Sequence, residues 1–267
     1  MGVKLVALDI DGTIVPLEAP GEGLPGEAIS RAISALREAG IAVILASGRM
    51  FPGTARVARH LGLDTPVICQ QGCSVHLLDG TMTHEFAIDH GLAVELVDHA
   101  RRLQHAYEWF NPLRYIASRK NDASEEYARV SGIAPEYRPD PERSGVRPTG
   151  VGIISSQAEA NAIHNDLVAR YGEALHVLDF PTVTVAVAPD ANKGNALALL
   201  CADLGIDRHE VVALGDSVND ASMLAWAGRG LALAHSDHYA LDVADEVLED
   251  GDDSVAAFLE SLARHAG

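Results

Sequence analysis

Residues 3–13 read VKLVALDIDGT, an apolar run that ends in two aspartates, Asp9 and Asp11, just before Gly12. A near-continuous apolar run is typical of a strand that is buried on both faces of a parallel sheet. Ionised carboxylates are costly to bury unless they are paired or bind a metal. Because ligands bind at the carboxyl ends of strands in open α/β sheets, these residues predict a functional site at the end of the first strand.

The composition restricts the partners of the protein. The chain has 267 residues and is 48% hydrophobic, enough for one large α/β domain or a core domain with a smaller one. Its 38 acidic and 20 basic residues give a net charge of −18, which argues against nucleic acid or an anionic membrane as a partner. Cys69, Cys73 and Cys201 do not make a disulfide framework, and no apolar run is long enough to cross a membrane. We therefore expect a cytoplasmic protein.

The order of apolar segments predicts the fold class. Helices are predicted for residues 27–39, 52–61 and 193–204, and buried strands for residues 41–46, 66–69, 211–214 and 230–234. This alternation is typical of a Rossmann-like, doubly wound parallel sheet of the α/β class. A loop rich in Pro and Gly over residues 15–26 is either a flap over the site or a solvated connection.

The middle of the chain has a different composition and predicts an insertion. Short strands and helices alternate irregularly there, and a β-branched run over residues 182–188 then returns the chain to the sheet domain. We predict a core made of residues 1–83 and 187–267, with residues 84–186 inserted as an α+β cap domain.

Polar residues suited to one reaction follow several of the predicted strands. They are Asp9, Asp11 and Thr13, then Ser47, Gly48 and Arg49, then Lys193 at the start of a helix, and finally Asp216, Asn219 and Asp220. Converging carboxylates repel each other and favour a hard dication such as Mg²⁺. A lysine and hydroxyl donors beside such a site suit a phosphoryl group, whose charge must be offset during transfer.

The order of these motifs, D-x-D-G-T, Ser, Lys and G-D-x-x-N-D, resembles the four motifs of the haloacid dehalogenase (HAD) superfamily of phosphohydrolases. The large insert between Ser47 and Lys193 is similar to the class II cap of the Cof-type (class IIB) subfamily. Residues 193–206, KGNALALLCADLGI, and 215–228, GDSVNDASMLAWAG, also resemble that subfamily. The resemblance implies a HAD-like core with an inserted cap and a phosphatase activity.

Three segments depart from the pattern of that subfamily. Residues 71–73 read Gln-Gly-Cys where Asn-Gly-Ala is usual, and residues 234–236 read Ala-His-Ser where Gly-Asn-Ala is common. The strand before Lys193 usually presents an acidic residue, but here residues 183–194 read VTVAVAPDANKG. None of these departures falls in the four motifs. The departures therefore affect the expected substrate contacts and cap closure rather than the expected reaction.

The resemblance also implies a role for each motif residue. Asp9 would be the nucleophile that becomes an aspartyl phosphate, and Asp11 would protonate the leaving oxygen and then deprotonate the attacking water. Ser47 and Lys193 would hold the phosphoryl oxygens, with Lys193 counted among the catalytic residues. The implied Mg²⁺ ligands are Asp9, the backbone carbonyl of Asp11, Asp216 and Asp220, the last supporting either the metal or Lys193.

The remaining candidates are expected to bind phosphate or substrate, and they are Thr13, Gly48, Arg49 and Asn219. Two interpretations of Arg49 stay open at this point, because it would either contact substrate or pair with an acidic neighbour. The cap residues Arg114, Arg119 and Lys120 similarly either meet an anionic part of the substrate or are solvated.

The sequence thus predicts a cytoplasmic, Mg²⁺-dependent phosphatase that acts on a small phosphate monoester, such as a sugar phosphate or another metabolite phosphate. One alternative is a phosphomutase of the same superfamily, which would return the phosphoryl group to a sugar hydroxyl. Another is a receiver-like signalling domain that is phosphorylated without turnover. The sequence does not indicate an oligomeric state.

Overall fold

A computed structural model describes residues 2–16 and 23–265. The strands are β1 (Leu5–Leu8), β2 (Ala42–Ala46), β3 (Val67–Cys69), β4 (Ser74–His76), β5 (Met82–Glu85), β6 (Ala106–Asn111), β7 (Arg114–Ala117), β8 (Glu136–Tyr137), β9 (Gly150–Ile154), β10 (His176–Phe180), β11 (Val183–Val187), β12 (Val211–Leu214), β13 (Arg229–Leu233) and β14 (Glu246–Leu248). The helices are α1 (Glu27–Glu38), α2 (Phe51–His60), α3 (His90–Arg102), α4 (Asp122–Ser131), α5 (Gln157–Tyr171), α6 (Lys193–Leu204), α7 (Ala221–Trp226), α8 (His238–Leu241) and α9 (Asp252–His265).

One sheet has eight strands in the order β14-β13-β12-β1-β2-β3-β4-β5. All pairs from β14 to β3 are parallel, and the edge strands β4 and β5 are antiparallel. Strand β1 is central, with β12 on one side and β2 on the other. This arrangement confirms the predicted α/β, doubly wound sheet and brings the ends of β1, β2 and β12 together.

The apolar sequence of β1 is explained by burial on both of its faces. Val6 and Leu8 pack in a core that includes Ile33 of α1 and Leu259 of α9. On the opposite face, Leu5 and Ala7 pack in a core that also contains residues of α6 and α7. Helices thus cover both sides of the sheet, which fixes the register of the strand that leads to Asp9.

A second, six-stranded sheet has the order β10-β11-β9-β6-β7-β8 and is antiparallel except between β7 and β8. Alternate residues of β6 point to opposite faces. Tyr107 and Trp109 pack in a core with residues of α3 and α5. Phe110 lies on the other face, in a core that also contains Met50, which directly follows the Ser47–Arg49 motif. The second face of this sheet therefore faces the loop that carries Ser47–Arg49.

Three elements of the second sheet region differ from the sequence prediction. The run over residues 182–188 does not return to the first sheet, because Val183–Val187 pairs with β9 and β10 as β11. Strand β6 and helix α4 have no counterpart among the predicted elements. The predicted boundaries at 83/84 and 186/187 fall inside β5 and β11, and the division into core and cap stays a prediction. The inner part of the predicted loop, residues 17–22, lies outside the described residues.

Within the described ranges, no helix combines the length and the apolar character needed to cross a membrane.

Candidate active site

Asp9 begins the site directly after the central strand β1. Its backbone N–H donates to the carbonyl of Leu214 at 3.0 Å, so the strand pairing with β12 continues through this residue. The Asp9 side chain is buried, with 4% of its surface exposed. A carboxylate in such a position requires a charged partner.

Lys193 is that partner. Its Nζ lies 2.5 Å from Oδ1 of Asp9 and 2.6 Å from Oδ1 of Asp220, and the lysine is fully buried. Burial alone would lower the pKa of the ammonium group, but the carboxylates of Asp220 and Asp9 outweigh it and raise the pKa of Lys193. Burial, followed by the charge of Asp220, raises the pKa of Asp9, and Lys193 opposes this shift. The structure therefore holds a charged lysine between two buried aspartates.

Asp216 completes the acidic cluster from the loop after β12. One carboxylate oxygen from each of Asp9, Asp216 and Asp220 lies within 4.8 Å of the others. Burial, with a further contribution from the charge of Asp220, raises the pKa of Asp216 to about 7. Three carboxylates at this spacing, with one lysine to offset them, fit a hard dication.

The members of the cluster differ in how many acceptor positions are already used. Oδ1 of Asp220 accepts from Lys193, and its Oδ2 accepts from the backbone N–H groups of Asp216 and Ser217, both at 3.1 Å. Asp216 accepts one hydrogen bond from Thr13 Oγ1, at 3.1 Å. Asp9 and Asp216 thus have more free acceptor capacity than Asp220, which is positioned to hold Lys193 and the turn.

A glycine is required at position 12 because the loop after β1 closely approaches the loop after β12. Gly12 has a φ of +91°, and a Cβ at this position would lie 2.3 Å from Oδ2 of Asp216. Only glycine both adopts this conformation readily and leaves room for that carboxylate. The D-x-D-G-T pattern is therefore explained by packing of its glycine and threonine against Asp216.

Arg49 contacts Asp11 in this structure. Its Nε and Nη2 donate to Oδ2 and Oδ1 of Asp11 at 2.7 and 2.5 Å, a two-pronged pair, and its Nη1 donates to the carbonyl of Gly23 at 3.1 Å. The arginine is buried although 37% of the Asp11 side chain is exposed. Arg49 therefore pairs with an acidic neighbour, and Asp11 lies outside the cluster of Asp9, Asp216 and Asp220.

Ser47 and Gly48 end strand β2 beside β1. Ser47 is buried, and its Oγ accepts from the N–H of Arg49 at 3.1 Å. The carbonyl of Gly48 accepts from the hydroxyl of Tyr127 at 3.2 Å. Ser47 thus shapes the turn that presents Arg49, and Gly48 is linked to helix α4.

Asn219 contacts Gln71, which lies in the first of the three departures from the subfamily pattern. Its amide nitrogen donates to Oε1 of Gln71 in a short hydrogen bond, and its Oδ1 accepts from Ser217 at 2.7 Å. Gln70 and Gln71 have φ values of +51° and +64°, which are rare for residues other than glycine. Such backbone strain is concentrated at functional sites.

A cavity of about 510 Å³ lies between the motif loops and the second sheet. Six of the predicted site residues line it: Asp9, Asp11, Gly48, Arg49, Asp216 and Asn219. Four others, Thr13, Ser47, Lys193 and Asp220, do not reach its wall and are buried behind it. The second sheet and its helix α4 contribute Glu108, Phe110, Ala123, Tyr127, Val130, Asp179, Phe180, Pro181, Val183 and Val185.

Comparison with known proteins identifies the family. The family model of haloacid dehalogenase-like hydrolases matches residues 6–259. The chain belongs to this family. The predicted superfamily and the prediction of a hydrolytic enzyme are thereby confirmed.

Solved structures share the fold of this HAD-like hydrolase over its whole length. A haloacid dehalogenase-like hydrolase from Bacteroides thetaiotaomicron aligns with a TM-score of 0.82 and 22% identity, covering 97% of this chain and 99% of the other. A HAD/COF-like hydrolase from Plasmodium vivax gives 0.84 and 17%, covering 99% and 96%. A HAD subclass IIB sugar phosphatase gives 0.80 and 17%, covering 97% and 98%. These likenesses confirm the HAD-like fold.

Some residues of the HAD-like site were not predicted from the sequence. His235, in the second departure from the subfamily pattern, lines the cavity. Its Nδ1 lies 2.7 Å from Oδ1 of Asp250, and its Nε2 lies 3.9 Å from Oδ2 of Asp216. Glu108 and Tyr127 were missed because β6 and α4 were missed. The apolar and aromatic residues on either side of Glu108, at positions 106–110, were the available signal for the strand.

The candidate cations of the insert do not line the cavity. Arg114 donates to both carboxylate oxygens of Glu136 at 2.7 Å, and Lys120 lies 2.7 Å from Glu125. Arg119 donates to the carbonyl of Gln104 at 3.0 Å. Of their two interpretations, the structure favours solvated surface charges.

Proposed function

We propose that this HAD-like hydrolase is a phosphatase that removes phosphate from a small phosphate monoester through an aspartyl phosphate on Asp9. The observation that supports this most strongly is the contact of buried Lys193 with Asp9 and Asp220 at the end of β1. A buried lysine beside a carboxylate that opens onto a cavity can offset the charge of a phosphoryl group as it is transferred. The second aspartate, Asp11, lines the same cavity.

In the proposed first step, a carboxylate oxygen of Asp9 forms a bond to phosphorus and the bond from phosphorus to the ester oxygen breaks. Asp11 gives its proton to the leaving oxygen, so the leaving group departs as an alcohol. In the second step, water attacks phosphorus, the bond to the Asp9 oxygen breaks, and Asp11 accepts the proton of the water. Arg49 donates to both oxygens of Asp11 in this structure, so the proposed mechanism requires Asp11 to release one of these contacts when it carries the proton.

We propose Asp9, the backbone carbonyl of Asp11 and Asp216 as the residues that hold Mg²⁺, with Asp220 supporting Lys193 and the loop. When bound, the cation offsets the negative charge of the phosphoryl group. Thr13 positions Asp216 for this role through its hydroxyl, and Ser47, Gly48 and Asn219 are proposed to contact the phosphoryl group or the substrate.

We further propose that residues 84–186 form a cap that closes the cavity, in a cytoplasmic enzyme. A cavity of about 510 Å³ is suited to a small ligand, and an enclosed site disfavours macromolecules as substrates. A relative of the same fold is described as a sugar phosphatase, which supports a sugar phosphate as the substrate class.

The proposed function is tested by phosphate release from a panel of phosphate monoesters, with Mg²⁺ and with a chelator. We expect release only with the metal, and none above background from Asp9→Asn. Asp203→Asn is the matched control, because its side chain on α6 is exposed. Release from Asp9→Asn at the wild-type rate would rule out Asp9 as the nucleophile.

The same assay distinguishes the two alternatives. Recovery of the phosphoryl group on an isomerised sugar would favour a phosphomutase. Phosphorylation of the protein that persists without release of phosphate would favour a receiver-like domain.

A further inference from the structure

The wall of the cavity that the cap supplies is acidic and apolar. Its charged side chains are the carboxylates of Glu108 and Asp179, and within the described residues no lysine or arginine of the cap lines it. On the opposite side Arg49 is already paired with Asp11. Within the described residues, the part of a substrate that extends beyond its reacting phosphate therefore meets no lysine or arginine on the cap side of the cavity.

Glu108 is an unusual residue in this wall. It lies on the central strand β6 and is 6% exposed. The hydroxyl of Tyr115 on β7 donates a short hydrogen bond to its Oε1. In the described part of the chain, no other donor reaches Glu108, and Oε2 lies over Gly152, where a Cβ would be 2.6 Å away. Glu108 thus lines the cavity, and within the described residues its Oε2 accepts no hydrogen bond.

Such an arrangement is costly to the free protein. A buried carboxylate with one partner loses hydration that a single hydrogen bond does not replace. Burial accordingly raises the pKa of Glu108 to about 7, although Tyr115 opposes the shift. The position is otherwise apolar, because Phe110 and Val185 line the same wall. A ligand that donates a hydrogen bond to Oε2 would supply the missing partner.

We propose that Glu108 determines specificity, accepting a hydrogen bond from a hydroxyl or ammonium group on the leaving-group part of the substrate, and that Glu108 and Asp179 together disfavour substrates with a second anionic group. This inference rests on the phosphatase function proposed above and narrows its substrate class. The preferred substrate is a phosphate monoester with a neutral or cationic remainder. Its carbon skeleton packs on Phe110 and Phe180, and its polar edge faces Glu108.

The test compares a neutral hexose 6-phosphate with two analogues: its 2-amino derivative, and the corresponding 6-phosphoaldonate, an open-chain acid with a carboxylate at C1. Measured at pH 8, kcat/KM of wild type is expected to be at least about tenfold higher for the amino and neutral sugars than for the carboxylate. In Glu108→Gln the ratio of kcat/KM for the amino sugar to kcat/KM for the carboxylate substrate is expected to fall by about tenfold. The amide oxygen of the glutamine still accepts a hydrogen bond from a hydroxyl, so kcat/KM for the neutral sugar should fall less than kcat/KM for the amino sugar.

Glu136→Gln is the matched control, because Glu136 lies in the same sheet, is paired with Arg114 and does not line the cavity. It should leave all three values unchanged, and thermal unfolding establishes that both variants are folded. Equal or better wild-type use of the carboxylate substrate would overturn the inference without any variant. An unchanged ratio in folded Glu108→Gln would do the same.

Failure of the proposed function is a separate outcome. If wild type hydrolyses no phosphate monoester, including 4-nitrophenyl phosphate, the phosphatase proposal and this inference are both rejected. If it hydrolyses 4-nitrophenyl phosphate but no monoester with a hydroxyl or ammonium group, only this inference is rejected.

Discussion

The ammonium group of Lys193 lies 2.5 Å from a carboxylate oxygen of Asp9, although 184 residues separate the two in sequence. Neither side chain is more than 5% exposed. Attraction between opposite charges is strong where water is excluded, and each charge depends on the other to remain buried. The pair is therefore both part of the folded core and the centre of the proposed reaction.

Replacing the lysine should affect turnover and stability together. For Lys193→Ala we expect kcat to fall on the order of 10²–10³-fold, because one group that stabilises the transition state is lost. The remaining buried aspartates should also destabilise the fold by about 3–5 kcal/mol in the absence of metal. Steady-state kinetics and urea unfolding measure the two effects. Lys120→Ala, at an exposed ion pair with Glu125, is the control and should change neither kcat nor the free energy of unfolding. Wild-type turnover in Lys193→Ala would show that Lys193 takes no part in the reaction.

Arg49→Lys separates positioning of Asp11 from binding of substrate. A lysine keeps the positive charge but cannot make the two-pronged contact of Arg49. If Arg49 positions Asp11, kcat should fall about ten- to a hundredfold while KM changes little. A rise in KM at constant kcat would instead show that Arg49 binds substrate. Arg31→Lys in α1, where the arginine is exposed, serves as the control.

Binding of Mg²⁺ should be visible without any substrate. Since the cation would bind the folded but not the unfolded protein, it should stabilise wild type by about 2.7 kcal/mol at a concentration of about 100 Kd. Asp216→Asn should lose most of this response, because one of three clustered carboxylates is removed. Thermal unfolding with and without Mg²⁺ measures the difference, with Asp203→Asn as the control. An equal response in Asp216→Asn would exclude Asp216 as a ligand.

The stability contributed by Glu108 should depend on pH. Its folded pKa of about 7 lies above the ordinary value of 4.5, so between these values the folded state binds more protons and stability falls as pH rises. The decrease in the free energy of unfolding should approach about 3 kcal/mol above pH 7. Tyr115 on β7 and Tyr127 on α4 face the carboxyl group, and both have pKa values raised above 10, so they remain neutral in this range.

Glu108→Gln should therefore become more stable relative to wild type as pH rises from 4.5 to 7. Urea unfolding of both proteins across this range measures the difference directly. A difference that is constant with pH, or that changes in the opposite direction, would contradict the raised pKa of Glu108.

The first sheet and the motif residues were predictable because they follow local rules. The apolar run before Asp9 indicates a buried parallel strand, and α6 and β12 begin and end where their patterns place them, at Lys193–Leu204 and Val211–Leu214. Since parallel strands end at one edge of a sheet, the pairing of these elements was enough to bring the four motifs together.

The contacts of the second sheet were not predictable in the same way. The β-branched run at Val183–Val187 has the same local pattern as a core strand, and only its pairing with β9 and β10 places it in the other sheet. Glu108 interrupts an otherwise apolar strand, which weakens the pattern of β6. The contact between Arg49 and Asp11 likewise depends on the distance between two chain segments, and no local sequence pattern contains that distance.

Detection of a phosphoryl group on Asp9 would test the proposed reaction most directly. Asp11→Asn should still react with 4-nitrophenyl phosphate, because the leaving group of this substrate needs no proton. The aspartyl phosphate on Asp9 should then be hydrolysed slowly, because the base that activates water is missing. Intact-mass measurement after acid quenching should then show one added phosphoryl group, and peptide mapping should place it on Asp9. We expect this label in Asp11→Asn and no label in the Asp9→Asn, Asp11→Asn double variant. A label on another residue, or one that persists in the double variant, would contradict the proposed role of Asp9.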